Sequence, residues 1–88
     1  MELQKLPNIG PELARLLDEV EVHDSEELRE LGTKLVFLRL KAQDPTACFH
    51  KLTAIEGAVQ GIKKSQISPE RKAQLRQFFD HLSVANEG

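Results

Sequence analysis

Apolar residues recur at spacings of three and four along nearly the whole chain, and short polar segments interrupt them at intervals. The segment 46–62 shows this most clearly, with one apolar face formed by Phe49, Leu52, Ile55, Val59 and Ile62. No stretch alternates apolar and polar residues for long enough to predict a strand. The pattern therefore predicts an all-α domain of five helices.

Turn formers and capping residues place the helix ends. Pro11 suits a first helical position, and Asp24 and Glu27 have the spacing of a capping box. The pair Asp44-Pro45 ends a helix, because proline disfavours a helical predecessor. The predicted helices cover residues 11–19, 25–31, 33–43, 46–62 and the segment from 69 onward.

The third helix offers Leu35, Leu38 and Leu40 to the core, with Val36 as an alternative. The face of the fifth helix consists of Leu75, Phe78, Phe79 and Leu82. We expect the first two helices to pack with the third, while the fourth and fifth close the other side.

Composition narrows the class of protein. The chain has 88 residues, of which 40% are hydrophobic and 30% charged, so we expect one compact domain over residues 1–88 with an ordered core at about 3–82. A single cysteine, Cys48, excludes an internal disulfide and a multi-cysteine zinc site, and we expect it to be a small core residue. No apolar stretch predicts secretion or membrane spanning, so we expect a cytoplasmic location.

Charge is distributed unevenly along the chain. Residues 1–31 carry nine acidic and three basic residues, whereas residues 32–88 carry five acidic and nine basic ones. Part of the positive charge forms a basic face on and before the last helix: Lys63, Lys64, Arg71, Lys72 and Arg76. Such a face is either a solvated helical surface or a binding site for an acidic protein or DNA. The chain has no Trp or Tyr to stack on bases.

Small residues line one side of the fourth helix: Ala54, Gly57, Ala58 and Gly61. Glycine costs about 1 kcal/mol relative to alanine inside a helix, so the seam predicts close approach by another helix. That helix belongs to the same chain or, alternatively, to a second copy, which makes the protein a monomer or a homodimer. Polar neighbours such as Gln60 exclude a bilayer setting.

The motif LPNIGP, followed by Ala14, resembles a helix-hairpin-helix pattern, which implies a helix-hairpin-helix or SAM-like core. Its hairpin residues are Pro7, Asn8, Ile9 and Gly10. In such hairpins a buried hydrophobe, here Ile9, is flanked by two glycine positions that allow positive φ. Asn8 occupies the first of these positions and Gly10 the second.

The hairpin is either phosphate-facing or a structural corner. Glu12 in the first helical turn satisfies the helix dipole and would repel a phosphate, and the surrounding residues are acidic overall. Only Lys5 and Arg15 could assist a phosphate there. The charges favour a structural corner.

Three stretches in this order and spacing, LPNIGPELARLL, LRELG and AIEGAVQGI, resemble the C-terminal domain of the TfoX/Sxy family, bacterial regulators linked to DNA-uptake competence. The resemblance covers about Leu3 to Leu82. The chain departs from the pattern at Val20-Glu21-Val22, where a glycine is expected, and at Lys63-Lys64, where relatives tend to be less charged. In the family this domain often follows a separate N-terminal domain.

Candidate catalytic and metal-binding residues are sparse. His23, His50 and His81 have no second ligand at metal-binding spacing, and Cys48 and His50 lie two residues apart on a predicted helix, where they do not face each other. We therefore expect no enzyme activity, metal or cofactor. Together with the resemblance, this indicates a non-enzymatic interaction module in bacterial transcription and competence regulation, acting through protein–protein contacts. The alternative is low-specificity DNA binding through the hairpin or the basic face.

Overall fold

Five α-helices and two short 3₁₀ turns make up the computed structural model, which describes the backbone of residues 1–87 and the side chains of residues 1–82. Within those residues the only extended pairing is an isolated bridge between Glu2 and Asp24. The all-α prediction is therefore confirmed. The helices are α1 (Pro11–Glu19), α2 (Ser25–Leu31), α3 (Thr33–Gln43), α4 (Phe49–Gln60) and α5 (Pro69–Glu87), and the 3₁₀ turns are Leu3–Lys5 and Lys64–Gln66.

Local chemistry explains the helix starts. Pro11 occupies the first turn of α1, and the Asp24 carboxylate accepts a hydrogen bond from the Glu27 backbone N–H at 2.9 Å to cap α2. The predicted start of α4 at Thr46 is wrong, because the Asp44 carboxylate accepts hydrogen bonds from the Thr46 N–H at 3.0 Å and its hydroxyl at 2.5 Å. These bonds hold a turn instead of a helical start, so α4 begins at Phe49.

Two turns use left-handed backbone. Gly61 has φ 76 and ends α4, with the Ile62 N–H donating to the Gly57 carbonyl at 2.9 Å. The helix therefore stops two residues before its predicted end at Ile62. Between α1 and α2, Glu21 has φ 66. This is the segment in which the family pattern leads us to expect glycine, and the positive φ explains why glycine would suit it.

The core face of α3 differs from the one predicted. Val36, Phe37 and Leu40 are buried, whereas Leu35 is 43% and Leu38 40% exposed. Val36, the alternative core position, is thus correct, and Leu35 and Leu38 are wrong. Five apolar residues crowd Leu35–Leu40, so periodicity alone does not select the inner face.

Helix α3 is central to the packing. It contacts α1, α2 and α4, and α5 packs on α4 in the expected arrangement, while α2 also reaches α4. The Phe79 ring of α5 meets Phe37 and Phe49 with centroid distances of 6.0 and 5.7 Å.

Cys48 is exposed, contrary to its predicted core position, because it caps the N-terminus of α4 while Ala47 fills the buried site.

Candidate binding surface and the hairpin beside it

Asn8 braces the hairpin against the end of α4. Its backbone has φ 70, the positive value predicted for this position. Its side-chain Nδ2 donates to the Ile62 carbonyl at 3.0 Å, and its Oδ1 accepts from the Lys64 backbone N–H at 3.0 Å. The side chain is therefore occupied by the protein's own backbone, as a structural corner requires.

Gly57 makes room for this brace. A Cβ atom at Gly57 would lie 2.3 Å from Asn8 Nδ2 and 2.7 Å from the Ile62 carbonyl oxygen. The small-residue seam predicts close approach by another helix. At Gly57 it is instead the Asn8 side chain and the turn after α4 that approach the helix closely. Ala54 and Ala58 are buried in the core. Gly61 is exposed, and its positive φ ends the helix.

The other hairpin residues behave differently from one another. Ile9 is buried, with 5% of its surface exposed. Gly10 has φ −88, so the positive φ expected there is wrong, and no atom lies within 4 Å of a Cβ added at this residue. Pro7 lines a surface depression beside Asn8.

That depression belongs to a positively charged surface whose lysines come from three separate segments of the chain. One depression is lined by Lys5, Leu6, Pro7, Asn8, Lys63, Lys64 and Ser65. A second is lined by Phe49, His50, Thr53, Lys64, Ser65 and Lys72. The two meet at Lys64 and Ser65. We call Lys5, Lys63, Lys64 and Lys72 the lysine surface.

The ammonium groups of the lysine surface are available to a partner. None of the four forms an ion pair with the side chains described here, residues 1–82. Lys5 was not part of the predicted basic face, because its neighbours in sequence are acidic. The hydrogen bond between Asn8 and the Lys64 backbone brings the two segments together across 56 positions of sequence.

The two arginines of the predicted basic face have partners inside the chain. Arg71 Nη2 lies 3.1 Å from Glu56 Oε1, and Arg76 Nε lies 3.2 Å from Asp80 Oδ1. The Arg76 guanidinium also lies 5.1 Å from the centroid of the Phe49 ring. The structure thus divides the predicted face into lysines without an ion pair among the described side chains and arginines that have partners within the chain.

Glu56 anchors Arg71 from inside the protein. Only 5% of Glu56 is exposed, although it is ionisable. Burial alone would raise the pKa of Glu56, but hydrogen bonds from Arg71, Gln60 and Thr33 outweigh it and hold the pKa below its ordinary value. The sequence marked Glu56 only as a polar residue within an apolar helix. Four buried residues precede it in α4, Leu52–Ile55, and two follow it, Gly57 and Ala58, so a charged side chain among them needs a partner.

Among the other described titratable groups, His23 and Cys48 have shifted pKa values. His23 lies 2.5 Å from Asp18 and 3.0 Å from Glu21, and these hydrogen bonds raise the pKa of its imidazole. The backbone N–H of Lys51 lowers the pKa of the Cys48 thiol. Among the residues with described side chains, no group of three or more His, Cys, Asp or Glu is arranged to hold a metal ion.

None of the described helices has both the length and the apolar character needed to cross a membrane.

Comparisons with known proteins place this fold among bacterial relatives. The family model of the TfoX C-terminal domain matches residues 1–79. Protein Sxy of Escherichia coli (strain K12) is 34% identical over 85 residues, which are 97% of this chain but 41% of that protein. The chain thus spans about two fifths of the curated relative that it matches.

Two crystal structures of Listeria monocytogenes proteins are also similar. One, of an uncharacterized protein in a triclinic form, has a TM-score of 0.93 and 36% identity, and covers 94% of each chain. The other, of a protein of unknown function in a tetragonal form, has a TM-score of 0.90 and 37% identity, and covers 92% of this chain and 99% of that one. More than nine tenths of this chain therefore shares its fold with solved structures.

Proposed function

We propose that this chain, which belongs to the TfoX C-terminal domain family, is a non-enzymatic interaction module that acts in bacterial competence regulation through contacts with another protein. The regulatory role rests on the family and on the likeness to Protein Sxy. The contact with a protein rests on the surface of the domain itself.

The lysine surface is the observation that carries the proposal. Four ammonium groups from distant segments gather around two depressions, and the described side chains leave them without ion pairs. Opposite charges attract, so the carboxylates of an acidic partner would pair with ammonium groups that have no carboxylate partner among the described side chains. The same depressions have apolar residues in their lining. Such a mixture of apolar and charged residues is typical of a surface that binds a protein.

A complementation experiment in the native host tests the proposal. A strain lacking the chromosomal gene receives the wild-type gene or the double variant Lys63→Glu/Lys64→Glu, and transcription of competence genes is measured. We expect the double variant to lose most of the response. The control, Arg29→Glu/Lys34→Glu, makes the same change in net charge on exposed residues away from the lysine surface and should retain the response. Equal responses from the two variants would contradict the proposal.

Direct DNA binding is the second candidate, and one observation favours it. Lys63 and Lys64 lie beside the hairpin together with Lys5, so the hairpin has more positive charge nearby than its own sequence segment provides. Phosphate contacts dominate non-specific affinity for DNA. Two observations argue against this candidate. The Asn8 side chain already forms hydrogen bonds with the backbone of the turn after α4, and the acidic Glu12 lies in the first turn of α1.

Salt dependence separates the two candidates. If the hairpin bound duplex DNA, each lysine contact with a phosphate would contribute about one unit to the slope of log affinity against log salt concentration. Lys5→Glu, Lys63→Glu and Lys64→Glu would then each reduce the slope, as measured by fluorescence anisotropy of a labelled duplex. We expect the wild-type slope to be small and these substitutions to leave it unchanged.

A further inference from the structure

We infer that the two depressions of the lysine surface together hold an extended acidic peptide segment of the partner, with one apolar side chain of that segment seated beside Phe49. This inference rests on the proposed function and names the chemistry of the partner. The two depressions form one continuous path for such a segment, because Lys64 and Ser65 line both of them.

The arrangement of charge selects an acidic ligand. Lys5 and Lys63 border the depression on the hairpin side, Lys72 borders the one on the α5 side, and Lys64 lies between them. Carboxylates spaced along an extended chain can therefore meet a lysine in each depression and at the junction. Ammonium groups at the rim of a contact mainly steer and orient a charged partner.

The apolar lining selects a peptide with a hydrophobic residue. Leu6 and Pro7 contribute to the first depression, and Phe49 contributes to the second. Phe49 is partly buried, with its ring packed edge-on against Phe79 at 5.7 Å. A small aliphatic or aromatic side chain seated beside it would remove apolar surface from water on both partners.

The same residues disfavour nucleic acid. Stacking on bases needs an open aromatic face, whereas the Arg76 guanidinium lies over the Phe49 ring, 5.1 Å from its centroid. The hairpin also has few backbone N–H groups to offer a phosphate. Pro7 and Pro11 have none, and the Ile9 N–H donates to the Leu6 carbonyl at 3.4 Å.

Peptide binding measured by fluorescence anisotropy tests the inference. The probe is a labelled peptide of about eight residues, which spans roughly 26 Å when extended, comparable with the 28 Å middle dimension of the domain. It carries Asp and Glu on both sides of a central Leu. A second peptide replaces that Leu by Gln, and a labelled single-stranded oligonucleotide of similar length serves as the nucleic-acid probe.

We expect the acidic Leu peptide to bind at low salt with a dissociation constant on the order of tens of micromolar. Lys64→Glu and Lys72→Glu should each weaken it about tenfold, since each replaces an attraction by a repulsion. Lys34→Glu, on a lysine whose ammonium lies 5.5 Å from the Phe78 ring centroid away from the path, should bind as the wild type does. The Gln peptide should bind about three- to tenfold more weakly than the Leu peptide. Circular dichroism of each variant verifies that it is folded.

Several results would overturn the inference. These are no binding of the Leu peptide, equal binding by the Lys64→Glu variant, equal binding of the Gln peptide, or tighter binding of the oligonucleotide. Self-association of the domain that Lys64→Glu abolishes would also overturn it, because a second copy would then occupy the path. If a failure of the peptide results alone accompanies loss of the transcription response in Lys63→Glu/Lys64→Glu, the inference fails and the proposed function stands. If tighter binding of the oligonucleotide or self-association accompanies that loss, the contact with another protein fails as well. If that response persists, the proposed function itself fails.

Discussion

Replacing Gly57 by alanine should destabilise the protein, although alanine is the better helix former. Gly57 lies inside α4 and faces the Asn8 side chain and the turn that follows the helix. An added methyl group cannot fit there unless these atoms move. The substitution therefore tests directly whether the hairpin is braced in the way described.

The expected magnitude follows from three contributions. Alanine gains about 0.5–1 kcal/mol in the helix. Its Cβ would stand 2.3 Å from Asn8 Nδ2 and 2.7 Å from the Ile62 oxygen. Displacing the Asn8 amide breaks its two 3.0 Å hydrogen bonds, at a cost of about 1–3 kcal/mol. Moving the backbone of the turn costs about 1–3 kcal/mol more, because it is a response to overpacking. The net loss in the free energy of unfolding is about 1–5 kcal/mol, centred near 3.

Urea unfolding followed by circular dichroism measures this loss, since the chain has no Trp or Tyr to serve as a fluorescent probe. A double-mutant cycle with Asn8→Gly isolates the contact, because glycine accepts the φ of 70 while removing the amide. In the Asn8→Gly background, Gly57→Ala should cost at least about 1 kcal/mol less than in the wild type. Gly10→Ala is the control, because nothing lies within 4 Å of its added Cβ, and it should change stability by about 0.5 kcal/mol or less.

Two results would refute the reasoning. One is a Gly57→Ala variant as stable as the wild type or more so. The other is strict additivity of the two substitutions, since it would mean that Asn8 and Gly57 do not contact each other in solution.

The remaining predictions concern charged groups and one strained turn. Arg71→Met leaves the buried Glu56 carboxylate without its cation and should lower the free energy of unfolding by about 2–4 kcal/mol in urea titrations; adding Glu56→Gln should recover most of it, and a further loss would contradict the ion-pair account. His23 has a raised pKa because two carboxylates bond its imidazole, so its contribution to stability is full below its unfolded pKa of about 6.5 and disappears as the pH rises through the folded pKa. Unfolding curves between about pH 5 and 8, the range in which histidine titrates, should show this fall in stability for the wild type and should not show it for His23→Gln. In the His23→Gln background, which lacks the imidazole that the Glu21 carboxylate bonds, Glu21→Gly should raise the melting temperature, because glycine accepts the φ of 66 without strain. The gain corresponds to about 0.5–1 kcal/mol, and an unchanged or lower melting temperature in that background would count against strain at this turn.

Features encoded by neighbouring residues could be predicted from the sequence. The ends of α1, α2 and α3 agree with their predicted bounds, because Pro11, the capping pair Asp24 and Glu27, and Asp44 act on the backbone within a few residues. The positive φ of Asn8 was also predictable, since asparagine tolerates the left-handed region and stood at a glycine position of the motif.

Features that depend on long-range contacts could not be predicted. Nothing near Lys5 in the sequence indicates that it joins Lys63 and Lys64, because the Asn8 brace that brings them together spans 56 positions. The sequence predicts Arg71 as a surface cation, whereas in the structure it pairs with the buried Glu56. Such pairs need the positions of α4 and α5 relative to each other, which periodicity within each helix does not provide.

Photo-cross-linking in the native host is the most direct test of the central claim that the lysine surface meets a protein. A photoreactive phenylalanine analogue replaces Ser65, an exposed residue that lines both depressions, and the control places it at the exposed Glu30 of α2. We predict a light-dependent adduct from position 65 that protease destroys and nuclease leaves intact, with none at position 30. An adduct at position 65 that nuclease destroys, or adducts at position 30 alone, would contradict the account.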